Sequence, residues 1–341
     1  MNIASYSTAD ALDSQFQEIS MQRRTLPRGL AVTELGFGAA QLGNLYREIT
    51  DAEAHATVDA AWDAGIRYFD TAPHYGLGLS ERRLGAALAS RKRSDYVIST
   101  KVGRLLVPSP ETSDRLDDDG FIVPAASRRK WDFSRDGILR SVEGSLERLG
   151  IDRIDILYLH DPDNHWESAS TDGVNTLIEL RDQGVVAAIG AGMNQSVMLT
   201  EFVRRCDIDI VMLAGRFTLL EQGALDDLLP LARERNVAVV AAAVYNSGLL
   251  GSPRPDGNAR YDYGQAPTQL IARAHAIADI CERYGVTLPD VAIAYPLRNL
   301  AVVSVVLGMR TSSQVASNLT RYDAEIPEAL WLELQGEGLI R

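Results

Sequence analysis

The sequence predicts an α/β fold, a (β/α)8 barrel of the TIM type, on three observations. Eight short apolar or β-branched runs are spread along the 341 residues and alternate with stretches of helical periodicity. The runs are continuously apolar rather than alternating in polarity, as expected of parallel strands covered by helices. The length suits one barrel with extensions, so residues 1–341 read as a single domain.

In chain order, residues 1–28 read as an extension before the barrel. The first strand lies near 32–39 (VTELGFGA). The second, 66–70 (IRYFD), ends in Asp70, and Ser80 is placed to cap a helix over SERRLGAALAS. The third, 96–100 (YVIST), runs into Lys101. Residues 103–133 follow as a long loop holding Pro108, Pro110, Gly120 and Pro124. A loop that long inside a compact domain is usually functional or without fixed structure; this one leaves the strand-end face and could close over a substrate. Ser134 caps a helix over 135–149, where Ile138, Val142, Leu146 and Leu149 recur at helical spacing before Gly150. The fourth strand, 153–159 (RIDILYL), leads to His160. Strands near 185–190, 208–213, 237–243 and 302–307 alternate with helices over 171–182, 196–205, 222–235, 268–284, 290–298 and 313–319. Residues 251–267 form a second long loop. Eight such alternations favour a closed barrel over an open doubly wound sheet.

Composition narrows the function classes. Apolar residues make up 46% of the chain, enough for a large core, and the net charge of -12 argues against non-specific nucleic-acid binding. No run approaches the roughly 18 apolar residues of a membrane span. The N-terminus lacks a basic start followed by an apolar stretch, so a cytoplasmic protein is expected. Cys206 and Cys281 have no metal-ligand spacing and read as reduced, packed thiols. The expected partner is a small molecule, with a homo-oligomer left open.

Asp70, Tyr75, Lys101 and His160 sit at or just past the ends of predicted strands, the face on which such barrels do chemistry. Their types fit one proton relay that needs no metal. A Lys cation pulls a Tyr pKa toward neutrality, an Asp fixes and balances the Lys, and a neutral His orients a carbonyl or hydroxyl. Singly, each has a plainer reading: Asp70 as a helix cap, Tyr75 as turn packing, Lys101 as a solvated charge, His160 as a core histidine. Four together at strand ends favour the relay. Gly36 and Gly38 near the end of the first strand are small enough for a ligand to approach the backbone, and equally fit a softened strand end.

The run GIRYFDTAPHYGLGLSERRLG, with STK and LYLHDP downstream, resembles the aldo-keto reductases, in which a Tyr follows an Asp by five residues, as 75 follows 70 here. The resemblance extends from LGFGAAQLGN to GMRTSSQVASNL and implies a barrel of the aldo-keto reductase type with Asp70, Tyr75, Lys101 and His160 as its catalytic set. The runs STKVGRLLVP, HDPDNHWE, AIGAGMNQ, VMLAGRFTLLEQ and NSGLLGSPRP resemble the subgroup of L-fucose (D-threo-aldose) 1-dehydrogenases and pyridoxal 4-dehydrogenase. That subgroup implies oxidation of a sugar hemiacetal at C1 to a lactone with NAD or NADP. Pyridoxal oxidation, general aldehyde or ketone reduction, and a cofactor-bound regulatory subunit are the alternatives.

The resemblance also implies a cofactor site. Asn194 matches the position that holds the nicotinamide carboxamide. Ser247, Gly248, Leu249 and Leu250 match the pyrophosphate loop, and Gly308, Met309, Arg310, Gln314 and Asn318 the adenosine end. Arg310 near a helix start suits the pyrophosphate or a 2′-phosphate, or is a solvated surface charge. The chain departs from the family pattern at Met193 and at Ala214-Gly215-Arg216, and only Tyr245 offers an aromatic near the end of the seventh strand. On the substrate side, His74, Trp131 and Trp166 are the candidate pocket residues, Trp166 serving otherwise as a packing anchor for its loop.

Overall fold

The computed structural model describes residues 21–262 and 264–341; of the expected extension over residues 1–28, residues 1–20 lie outside the described residues. Eight parallel strands close into a barrel: β1 (Leu35–Gly38), β2 (Tyr68–Asp70), β3 (Val97–Val102), β4 (Ile156–His160), β5 (Ala188–Met193), β6 (Ile210–Ala214), β7 (Ala238–Ala242) and β8 (Val302–Gly308). Each strand pairs with its chain neighbour, and β8 closes on β1 through Val305 opposite Leu35 and Gly308 opposite Gly38. The predicted fold class is therefore the observed one.

Apolar side chains of both sheet faces are buried, which is why the strands read as continuous apolar runs. The barrel interior is packed by Tyr68, Ile156, Tyr158, Ile210, Met212 and Val240. Residues 21–33 are not a loose lead-in. Arg23–Thr25 pairs antiparallel with Ala31–Thr33, and Leu26 and Val32 join the interior cluster from this hairpin. Each such buried side chain contributes about 1.5–3 kcal/mol. Gly36 is needed for the same packing: a Cβ there would meet Val306 at 2.8 Å and Tyr68 at 2.9 Å. Its smallness serves the barrel interior rather than a ligand.

Helix Arg135–Leu149 starts at Ser134, whose side chain accepts from the Gly137 N–H, and ends at Gly150 in the left-handed conformation. Ser80, by contrast, is no cap. Helix Leu79–Leu88 begins after Gly78 (φ 82°), and the buried Ser80 hydroxyl donates to the Ala39 carbonyl at 2.7 Å. The expected helix over 222–235 is split into a 3-10 turn at Gly223–Leu225 and a helix over Leu228–Glu234 capped by Asp227. Pro230 lacks an N–H and belongs in a first turn, so the helix restarts just before it. Helix Val174–Asp182 is preceded by a π-type turn at Ala169–Gly173. Helices Asp51–Asp63 and Glu328–Gly336 add to the expected set. Cys206 and Cys281 are free thiols. Among the described residues no helix is long and apolar enough to cross a membrane.

The long segment 103–133 has fixed structure. Arg104–Pro108 pairs antiparallel with Ser127–Trp131, and the tip folds back onto the loop after β1 through the Leu45–Phe121 bridge. Residues 251–267 hold a second, minimal hairpin, Arg260–Tyr261 against Gly264–Gln265.

Candidate active site

Asp70 and His160 are the last residues of β2 and β4, and Lys101 is next to last in β3, so adjacent strands deliver three side chains to one rim. Tyr75 reaches the same place from the turn after β2. That turn is tight: Gly76 (φ 62°) lies so close to Gly43 that a Cβ would fall 2.3 Å from the Gly43 carbonyl oxygen. Only glycine satisfies both the left-handed conformation and this approach.

The structure brings the four residues together. Lys101 Nζ donates to Asp70 Oδ2 at 2.7 Å, to the Thr71 carbonyl at 3.0 Å and to the Tyr75 hydroxyl at 3.1 Å. All three donor positions of the ammonium are thus used. The Lys101 and Asp70 side chains are only 3% and 4% exposed. The His160 ring stands edge-on to the Tyr75 ring at 6.0 Å.

Burial opposes the Lys101 charge, but Asp70 and Tyr75 outweigh it and hold its pKa above the ordinary value. Burial raises the Tyr75 phenol and Lys101 pulls it back; burial wins, and the net direction is upward. This corrects the expectation that Lys101 brings Tyr75 toward neutrality. Its contribution has the expected sign, but the pocket is too dry for it to dominate. Burial, with Arg104 and Lys101 nearby, pushes His160 well below its usual value, so its imidazole is neutral. The same causes bring His74 down to about 2.

Three further residues support the relay. Ser99 Oγ donates to Asp70 Oδ1 at 2.7 Å, the Tyr68 hydroxyl lies 3.2 Å from Ser99 Oγ, and the Tyr158 hydroxyl lies 3.2 Å from that of Tyr68. The Ser99 proton goes to the carboxylate, the nearer of its two acceptors, and the buried Tyr68 and Tyr158 hydroxyls pack in line behind it. The sequence signal for them is strand alternation. Residues 68, 99 and 158 each precede a relay residue by two, on the same strand face.

The hairpin of 104–131 roofs the rim. Phe121 is buried and packs against the rings of His74 at 5.3 Å and Tyr75 at 6.1 Å. Arg129 pairs with Asp117 at 2.5 Å and donates to the His74 carbonyl at 2.8 Å. His74 itself fills the space between Tyr75, Phe121 and His160. Trp131 stacks near Phe133 and stays 39% exposed, with the Arg104 guanidinium 4.4 Å above its ring. Trp166 faces the helical layer instead. Its ring lies 4.8 Å from Phe202 of helix Ser196–Arg205, the packing role rather than the pocket wall.

The cofactor candidates lie along the loops after β1, β5, β7 and β8. Asn194 is exposed just past β5, and its carbonyl accepts from Arg216 Nε at 3.0 Å. Arg216 also pairs with Asp262, tying the loop after β7 to this point. Ser247 (φ 58°) and Gly248 (φ 96°) form an exposed turn with nothing within 4 Å of a Cβ at Gly248. Leu249, Leu250 and Met309 are buried, so only their backbones are available. Gly308 abuts the Gln41 side chain, and Gly38 packs against Val306 and Leu307 of β8. Arg310 has no carboxylate partner among the described residues. It donates to the Leu45 carbonyl at 2.6 Å, and its backbone N–H to Gln314 Oε1 at 2.7 Å. Asn318 accepts from the Tyr245 hydroxyl at 2.9 Å and from Arg321 at 3.2 Å. Tyr245 is thereby anchored to helix Ser312–Tyr322.

Buried polar atoms without a partner fit a dinucleotide here. Gln41 Oε1 and Asn246 Oδ1, on the loops after β1 and β7, can accept from hydroxyl or amino groups, and Arg310 Nε, on the loop after β8, can donate to a phosphate. The family model for the aldo/keto reductases matches residues 34–335, nearly the whole described barrel. The chain belongs to the aldo/keto reductase family. As a member it is an NAD(P)-dependent oxidoreductase acting on CH–OH. It is 50% identical over 315 residues to a D-threo-aldose 1-dehydrogenase of a Pseudomonas species, covering 92% of this chain and 96% of that one. It is 40% identical to the pyridoxal 4-dehydrogenase of Microbacterium luteolum, covering 94% and 98%. Among solved structures, the holo form of an aldo-keto reductase from Bacillus halodurans superposes with a TM-score of 0.73 at 26% identity, covering 94% and 97%.

Proposed function

We propose that this protein oxidises a cyclic aldose at C1 to the lactone, with NAD or NADP as hydride acceptor. The observation that carries the reading is the Asp70–Lys101–Tyr75 chain beside a neutral His160, in a chain half identical to a D-threo-aldose 1-dehydrogenase. Asn194, Ser247, Gly248, Arg310 and Gln314 are the residues that would hold the dinucleotide. When bound, its oxidised nicotinamide supplies the hydride acceptor.

The protein's own groups manage the proton. Tyr75, as phenolate, takes the proton of the C1 hydroxyl while the hydrogen on the same carbon leaves as hydride and a carbonyl forms. Lys101, 3.1 Å from the Tyr75 oxygen, opposes the burial that holds the phenol protonated and so lowers the cost of the phenolate that this step consumes. Asp70 keeps the ammonium in place and balances its charge. Neutral His160 hydrogen-bonds the reacting oxygen without competing for its proton. The roof of Phe121 and Leu77 keeps water from the relay, so each charge contact acts in a low dielectric.

The test is formation of reduced nicotinamide by purified protein with NAD+ or NADP+ and L-fucose, D-arabinose, L-galactose, L-xylose or pyridoxal. Turnover with an aldose supports the reading and ranks the two cofactors. Turnover with pyridoxal alone replaces it with pyridoxal oxidation. Silence with all five removes the aldose substrate.

A further inference from the structure

Asp161, the residue after His160, takes no part in the relay, yet the structure sets it at the reacting centre. Its backbone is left-handed (φ 40°), a costly conformation for a residue with a Cβ, while its N–H still donates to the Gly192 carbonyl at 3.0 Å. The strand ladder therefore continues as the side chain turns out of strand alternation. The result is a carboxylate whose Oδ2 lies 3.6 Å from His160 Nε2 and 2.5 Å from the Arg104 guanidinium. Arg104 comes from the roof hairpin, next to Gly103 (φ 97°), and its guanidinium carbon lies 4.4 Å from the centre of the exposed Trp131 ring.

We infer that the Asp161–Arg104 pair, with Trp131 beside it, recognises the vicinal hydroxyls of a neutral polyhydroxy substrate. The inference rests on the proposed aldose reading and deepens it. The pair has unused bonding capacity. Arg104 has five N–H donors, of which one meets Asp161, and its Nε is buried without a partner. A carboxylate has about four acceptor sites, and Asp161 gives one to Arg104. Two adjacent hydroxyls offer donors to Asp161 and acceptors to Arg104, and the apolar face of a sugar ring covers Trp131. These side chains remain 14% and 28% exposed at the pocket rim, so a ligand can reach them.

The test compares glyceraldehyde with propanal, which share a chain length and a carbonyl and differ in the two hydroxyls. Reduction of both with NAD(P)H is measured for wild type, Asp161→Asn and Arg104→Met, beside L-fucose oxidation. Wild type is expected to prefer glyceraldehyde in kcat/KM. Asp161→Asn, nearly isosteric, should lower the glyceraldehyde-to-propanal ratio about 10-fold or more, mostly through KM, as loss of a charged hydrogen bond does. The ratio is immune to a general loss of active protein, and Arg104→Met should move it the same way. A wild type without preference, or variants that lower both rates in proportion, would overturn the inference. If L-fucose is not oxidised but Asp161→Asn erases a clear glyceraldehyde preference, the aldose reading fails and polyol recognition stands.

Discussion

Removing Lys101 leaves one of the most deeply placed carboxylates in the chain without its counter-ion. In Lys101→Met the apolar volume is nearly kept, so packing changes little. What is lost is the 2.7 Å contact to Asp70, whose side chain is 4% exposed and then keeps, among the described residues, the Ser99 hydroxyl alone. Breaking one side of a buried ion pair costs about 3–5 kcal/mol, against about 0–1 kcal/mol for a surface pair. Equilibrium urea unfolding at neutral pH should therefore show a loss in the higher range. The double variant Asp70→Asn/Lys101→Met should lose less than the sum of the singles, with a coupling of about 2–3 kcal/mol. The pH dependence follows from the raised Lys101 pKa. A cation held more tightly when folded contributes fully below its unfolded pKa of about 10.4, and that contribution is lost only as pH rises through the higher folded value. The gap between wild type and Lys101→Met should stay constant from neutral pH to about 10 and close above it. A loss under about 1 kcal/mol, or full additivity in the double variant, would refute the dry, coupled pair.

Three further outcomes follow. Tyrosinate absorbance of wild type minus Tyr75→Phe should give a titration midpoint above the usual phenol value of about 10 in the cofactor-free protein; a lower midpoint would show that Lys101 outweighs burial. Gly190→Ala would place a Cβ 1.6 Å from the Ile210 carbonyl oxygen, so thermal unfolding should show a loss of about 4 kcal/mol or more, or no folded protein; near-wild-type stability would contradict the β5–β6 spacing. Arg310→Met should weaken dinucleotide binding about 10-fold, read by quenching of protein fluorescence. A loss confined to NADP+ assigns the guanidinium to the 2′-phosphate, an equal loss with NAD+ to the pyrophosphate, and unchanged affinity removes Arg310 from the site.

The barrel was legible because its strands bury both faces and so read as unbroken apolar runs. Helix Asp51–Asp63 was harder to see, since it buries small residues, Ala54, Thr57, Val58 and Ala61, and shows little apolar contrast; its Thr50–Glu53 capping box was the readable sign. The roof hairpin was illegible because RLLVP and SRRKW are distant in sequence and pair by tertiary folding. Asp70, Lys101 and His160 could be found as strand ends. Their supports Ser99, Tyr68 and Tyr158 could have been found two residues earlier on the same face. Trp166 shows the limit. Proximity to His160 in sequence did not reveal that its ring turns toward Phe202.

The central claim is that Tyr75 is the group that moves the proton, and one kinetic comparison tests it most directly. Turnover of L-fucose with NAD(P)+ is measured for wild type and Tyr75→Phe, with NAD(P)H affinity measured on both. The account predicts that kcat falls about 100- to 10,000-fold, as loss of a general base does, while cofactor affinity stays within about 3-fold. A Tyr75→Phe protein that keeps more than about a tenth of the wild-type kcat would contradict it.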